Sequence, residues 1–122
     1  ATLAESLEDQ NKPELALGEW ARAIVAPDAR GYWHYRYGRL LAEKGRSGDA
    51  LPELEKAFAE GDVAEPRPGW VAPAAFSSAE LLQKAGKRPE AIARYKRYLE
   101  VAPFNSPDRA DAEAALKALG AK

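Results

Sequence analysis

The sequence predicts an all-helical protein, and three features carry that prediction. The first is side-chain chemistry. Of 122 residues, 26 are Ala and 13 are Leu, against two Ile, four Val and one Thr. Ala and Leu lose little side-chain freedom in a helix, whereas β-branched residues suit the pleated surface of a sheet. The second is punctuation: Gly, Pro and Asn recur at intervals that leave helix-sized pieces between them. The third is a repeated order of small, large and turn residues along the chain.

Seven helices are expected, at about 1–10, 13–26, 31–44, 49–60, 73–85, 89–101 and 107–119. The first stops at Asn11-Lys12-Pro13, and Pro13 opens the second, which runs to the break at Pro27-Asp28. The third, beginning at Gly31, ends in Gly45-Arg46-Ser47-Gly48. The fourth is expected to hold Pro52 in its first turn and to stop at Gly61-Asp62. After a Pro-rich connection, the fifth ends at Gly86-Lys87-Arg88-Pro89 and the sixth starts on Pro89. Proline is tolerated at these starts because the first-turn N–H has no intrahelical partner. The seventh follows Pro103-Phe104-Asn105-Ser106-Pro107. Ser106 is its expected N-cap, Pro107 its first residue and Gly120 its stop, while Asp108 and Asp111 sit near the positive end. Ala112, Ala115, Leu116 and Leu119 form its apolar stripe.

The internal period is visible residue by residue. Ala4, Leu7, Asn11, Ala16, Trp20, Ala23 and Ile24 align with Gly38, Leu41, Gly45, Ala50, Leu54, Ala57 and Phe58 at an offset of 34. A third copy, a further 41 residues on, reads Ala79, Leu82, Gly86, Ala91, Tyr95, Tyr98 and Leu99. This pattern resembles the tetratricopeptide repeat, a helix–turn–helix unit with small residues in the first helix and a small-then-aromatic spacing in the second. The clearest copy is GKRPEAIARYKRYLEVAP, residues 86 to 103, where Ala91, Tyr95 and Pro103 fall on the family's alanine, aromatic and terminal proline. The resemblance covers residues 1 to 103, and the last segment resembles the family's capping helix. It departs from the pattern at His34, where tryptophan is common, and at Tyr98, which replaces a small residue. Copy two lacks a closing proline near Asp62.

The resemblance implies one domain over 1–122, with repeats at about 1–28, 31–62 and 72–104 and a capping helix at 107–119. Its architecture would be a short right-handed α-solenoid, because one helix pair cannot bury its apolar face alone and neighbours must stack. In register, the first copy would begin before Ala1, so the chain is expected to be part of a longer protein.

The densest aromatic stretch is GYWHYRYGRLL, residues 31 to 41. At 100° per residue, His34, Tyr37, Gly38 and Leu41 share one face, expected to pack on the helix of residues 49–60. Trp33 and Leu40 project to one side, and Tyr32, Tyr35, Arg36, Arg39 and Glu43 are expected to point away from the core. In the resembled fold the first helix of each pair lines a concave groove. The corresponding positions elsewhere are Glu5 and Glu8, then Phe76, Ser77, Glu80 and Gln83. Tyr and Arg are favoured at binding hot spots, so Tyr32, Tyr35, Arg36, Arg39, Phe76 and Glu80 are the expected partner contacts, with an apolar anchor held between Tyr35 and Phe76. The blander alternative is an ordinary solvated helix face. A lysine–asparagine clamp for chaperone C-termini, used by part of the family, is not matched: the face offers Glu5, Arg36 and Arg39.

Little else suggests chemistry. With 18 basic and 19 acidic side chains, no global field steers the chain to nucleic acid or membrane. No run approaches the ~18 apolar residues of a membrane span. There is no Cys, and His34 is the one histidine, so neither a thiolate nucleophile nor a metal site is expected. No phosphate-binding glycine loop is present, and no cofactor or small-molecule substrate is expected. The expected function is therefore a non-catalytic scaffold or adaptor that holds a protein or peptide segment. One alternative is self-assembly, with the groove packing on its own chain or another copy. Another is nucleic-acid or acidic-partner binding through residues 84–97, where Lys84, Lys87, Arg88, Arg94, Lys96 and Arg97 face Glu90 alone. The connection EGDVAEPRPGWVAP, residues 60 to 73, is expected either to plug a seam with Trp70 or to fold over the groove.

Overall fold

The computed structural model describes residues 2–25, 31–64 and 66–120. It is all-helical there, with α1 (Thr2–Asp9), α2 (Pro13–Ile24), α3 (Gly31–Glu43), α4 (Ser47–Asp62), α5 (Val71–Lys84), α6 (Arg88–Val101) and α7 (Arg109–Ala118). Each expected helix is present within a few residues of its expected limits. The Pro27-Asp28 break lies outside the described residues.

Three helix starts move by two residues from expectation. α5 begins at Val71, so Pro73 lies in its first turn. α4 begins at Ser47, so Pro52 falls in its second turn and leaves the Gly48 carbonyl without a helical donor. Both residues are exposed, and water can serve that carbonyl. α7 begins at Arg109, so Ser106 and Pro107 belong to the preceding turn. Asp108 holds the N-cap position without a side-chain cap bond, and the Arg109 N–H reaches the Ser106 carbonyl at 3.3 Å.

Three connections, α1–α2, α3–α4 and α5–α6, share one backbone solution. In each, a leucine carbonyl near the end of the first helix accepts from an N–H five residues on: Leu7 from Lys12 at 2.8 Å, Leu41 from Arg46 at 2.9 Å, Leu82 from Lys87 at 2.9 Å. This is the hydrogen bond of a helix end closed by a left-handed residue. That residue is Asn11, Gly45 or Gly86, with φ of 58°, 76° and 78°. Glycine has no Cβ to clash in this region, and Asn is among the few side chains that tolerate it. The next helix then starts alike, with Ala16, Ala50 and Ala91 donating to Lys12, Arg46 and Lys87 at 3.0, 2.9 and 2.9 Å. All three alanines are fully buried.

Every helix packs mainly against its neighbours in sequence. The face expected to join α3 to α4 does so. Gly38 lets the helices close so far that a Cβ there would lie 2.8 Å from Leu54 Cγ and 3.2 Å from the Ala50 carbonyl oxygen. Helix propensity alone favours Gly38→Ala by about 1 kcal/mol. Overpacking a core contact typically costs about 1–3 kcal/mol, and here one neighbour is backbone. Gly38→Ala should therefore lower stability, and a raised urea midpoint for this variant would refute the close approach. α5 sits centrally, with Ala72, Ala74, Ala75 and Ala79 buried; Ser78, also buried, donates to the Ala74 carbonyl at 2.7 Å.

Trp70 fills the seam at the end of α4. Its ring tip occupies a notch made by two glycines, since a Cβ would come within 2.9 Å of it at Gly31 and 2.7 Å at Gly61. Tyr98, at a position where the repeat pattern has a small residue, is buried against Phe76 at 5.2 Å between ring centroids.

Candidate functional site

The polar face of α3 is largely satisfied from within the chain. Arg36 donates to Tyr32 Oη at 2.6 Å and to Glu8 Oε2 at 2.9 Å, and it lies 3.7 Å from Glu5. The same Glu8 oxygen accepts from Trp20 Nε1 at 2.7 Å, and the guanidinium lies 5.6 Å from the Trp20 ring. Burial opposes the charge on Arg36, but the bonds to Tyr32 and Glu8 outweigh it and raise the pKa. The acidic positions of α1 thus pair with the cation of α3, joining α1, α2 and α3 in one network.

The expectation that Tyr35 and Arg36 point away from the core does not hold. Tyr35 is 6% exposed and stacks on Trp70, with centroids 6.0 Å apart and planes at 18°. The Arg36 side chain is 16% exposed. A helical wheel fixes angular position but not what a later segment brings to it, and here Trp70 covers Tyr35. Phe76 is half-buried, edge-on to Tyr95 at 5.9 Å as well as against Tyr98. Tyr35 and Phe76 therefore each have aromatic partners of their own, Trp70 for the first and Tyr95 and Tyr98 for the second.

Arg39 and Glu80 are brought together. They line a 270 Å³ cleft between α3 and α5, with Glu43, Ser47, Ser77 and Lys84 among its other polar walls and Leu81 at its base. Arg39 is anchored at one side, its guanidinium 5.8 Å from the Tyr35 ring, with a loose 3.7 Å contact to Glu43. Partial desolvation pushes the Glu80 carboxyl up; Lys84 opposes this, and Asp108 and Asp111 add to it. The cleft offers charges of both signs, two hydroxyls and an apolar base, which suits a segment carrying its own charges and backbone groups. The Ser77–Glu80–Lys84 spacing of three and four residues marks one helix face in the sequence, but Lys84 and Ser47 were not expected at this cleft.

Tyr95, on α6, donates to Gln83 Oε1 of α5 at 2.7 Å. Burial, with the Glu80 charge, pushes its phenol from 10.0 up to about 12. The unfolded chain releases this proton first as pH rises, so the stability carried by the neutral phenol is complete below pH 10 and lost between pH 10 and 12. Tm should fall through that window and fall less in Tyr95→Phe. Some decline should remain, because burial also raises Tyr37 and Tyr98. An identical decline in the variant would remove Tyr95 as a cause.

His34 is held in the α3–α4 interface, its Nδ1 2.7 Å from Glu53 Oε2. The basic stretch on α6 is also engaged. Arg94 pairs with Glu55, Arg97 chelates Asp62 at 2.9–3.2 Å, and Arg88 donates to the Leu119 carbonyl at 2.7 Å. Tyr95 and Tyr98 are buried and present no stacking surface. Among the described residues, no helix is long and apolar enough to cross a membrane. Compared with known proteins, the chain matches no protein-family model and no curated sequence.

Proposed function

We propose that the chain is a tetratricopeptide-like array of three helix pairs with α7 as a cap, a short right-handed solenoid that works as a non-catalytic interaction module. It holds an extended protein segment in the α3–α5 cleft. The observation that carries this reading is the threefold recurrence of one turn, with the same leucine carbonyl bond, left-handed residue and buried alanine at offsets of 34 and 41. A chain built that way would set its first helices alongside one another, and Arg39 and Glu80 line the cleft between two of them, α3 and α5. Arg39, Glu80, Glu43, Ser77 and Lys84 are the contacting groups, whereas Tyr35 and Arg36 support the wall behind them.

Arg39→Ala/Glu80→Ala, two exposed changes, should abolish retention of partner proteins on the immobilised chain without altering its helicity. Truncation of a hot spot costs about 2 kcal/mol or more, roughly a thirtyfold loss of affinity per residue. Equal retention by both proteins would sink the cleft assignment. Self-assembly is the second reading, favoured by Leu3 and Leu15, which stand 57% and 60% exposed on the acidic first helix pair. A sedimentation coefficient independent of concentration would dismiss it. With α6 engaged internally, the nucleic-acid reading has the least support.

A further inference from the structure

The α3–α5 cleft continues past Ser47 and Leu81 into a second groove of 400 Å³, between the start of α4 and the end of α5. The chemistry changes there. Leu51 and Pro52 form one wall, Leu81 and Ala85 the other, and the charged groups at this groove are Lys84 and Lys87. Neither lysine takes part in an ion pair among the described residues. Glu80, one turn before Lys84, belongs to the first cleft. An apolar trough rimmed by cations alone complements a ligand that is apolar on one side and anionic on the other.

The backbone supplies a second reason. Ser47 and Gly48 open α4, and Arg46 before them gives no side-chain cap. Their N–H groups are therefore donors at the positive end of a 16-residue helix. Pro52 has no N–H, so the Gly48 carbonyl is a free acceptor. Backbone donors and an acceptor beside an apolar wall match an extended peptide, which carries both. No aromatic ring lines the groove to stack a nucleobase.

We propose that this second groove docks an acidic amphipathic peptide segment, its apolar side chains against Leu51, Pro52 and Leu81 and its carboxylates on Lys84 and Lys87. The inference rests on the interaction-module reading and adds the chemical class of the partner: a segment in which apolar and acidic residues alternate.

The test is a titration of the isotope-labelled chain, followed by amide chemical shifts, with three eight-residue peptides. One alternates leucine and glutamate, one leucine and lysine, one serine and glutamate. Only the leucine–glutamate peptide should shift Gly48, Leu51, Lys84 and Ala85 at millimolar concentration. Lys84→Glu/Lys87→Glu, at exposed positions, should exchange the preference to the leucine–lysine peptide with helicity unchanged. No shift with the leucine–glutamate peptide, equal shifts with all three, or an unchanged preference in the variant would overturn the proposal. Shifts confined to Arg39, Glu43 and Ser77 would overturn it while leaving the α3–α5 cleft intact. Shifts at the second groove alongside undiminished partner retention by Arg39→Ala/Glu80→Ala would keep this dock and remove the cleft. If the same amides move when the protein alone is concentrated, the occupant is a second copy and the peptide proposal fails.

Discussion

Trp20→Ala is expected to lower the free energy of unfolding by about 3–5 kcal/mol, the range for deleting a large buried aromatic ring. Trp20 has no exposed surface, so the whole ring would be replaced by a cavity. The loss goes further than packing, because the indole N–H is one of two donors on Glu8 Oε2. The other donor, Arg36, also lies against the ring face. Domains are commonly stable by about 5–15 kcal/mol, so this one change removes a large share of the total. Trp20→Phe should cost about 1–2 kcal/mol, since it keeps most of the ring but not the donor. Urea denaturation followed by circular dichroism measures both. Amide exchange should show α1 opening first in Trp20→Ala, since its ties to the rest of the chain run through α2 and the Arg36 network. A loss below that of Trp20→Phe would mean that the α1–α2–α3 network carries little stability.

The second large effect is at His34. His34→Ala leaves the carboxylate of Glu53, whose side chain is only 10% exposed, without its close hydrogen-bond partner. Lys56, the remaining cation nearby, stands 3.8 Å from the other oxygen. Stranding a buried charge of this kind costs about 2–4 kcal/mol. The double variant His34→Leu/Glu53→Leu should recover much of the loss, because an apolar pair of suitable volume removes the desolvation penalty along with the bond. A double variant worse than His34→Ala by the full cost of losing Glu53 would show that the two side chains act independently. Recovery would also fit a structural role for the one histidine.

The places where sequence and structure part company share a cause. Tyr35 and Arg36 sit on the α3 face that the helical period assigns to them, yet both are largely covered. Tyr35 is covered by Trp70, 35 residues away, and Arg36 is held by Glu8, 28 residues away. Neither partner shares a helix with its target, so no spacing rule links them. Phe76 was visible as an aromatic on a polar face, but Tyr95 and Tyr98 claim it from α6. Arg39 and Glu80 stay exposed: Arg39 has only a 3.7 Å ionic contact with Glu43, and Glu80 has no ion pair among the described residues.

What the sequence by itself determined is local: seven helices, the stops at Asn11, Gly45 and Gly86, and the small residues at Gly38, Ala50, Ala79 and Ala91. Each follows from the conformational freedom of one residue or from the 3.6-residue period, and neither depends on distant parts of the chain. Only the tertiary structure decided which polar groups satisfy one another and which stay exposed. A cation is open or committed according to what the packing of other helices places within about 3 Å of it. That is why Arg36, Arg94 and Arg97 became internal ties, whereas Arg39, Lys84 and Lys87 were left lining the grooves between α3, α4 and α5.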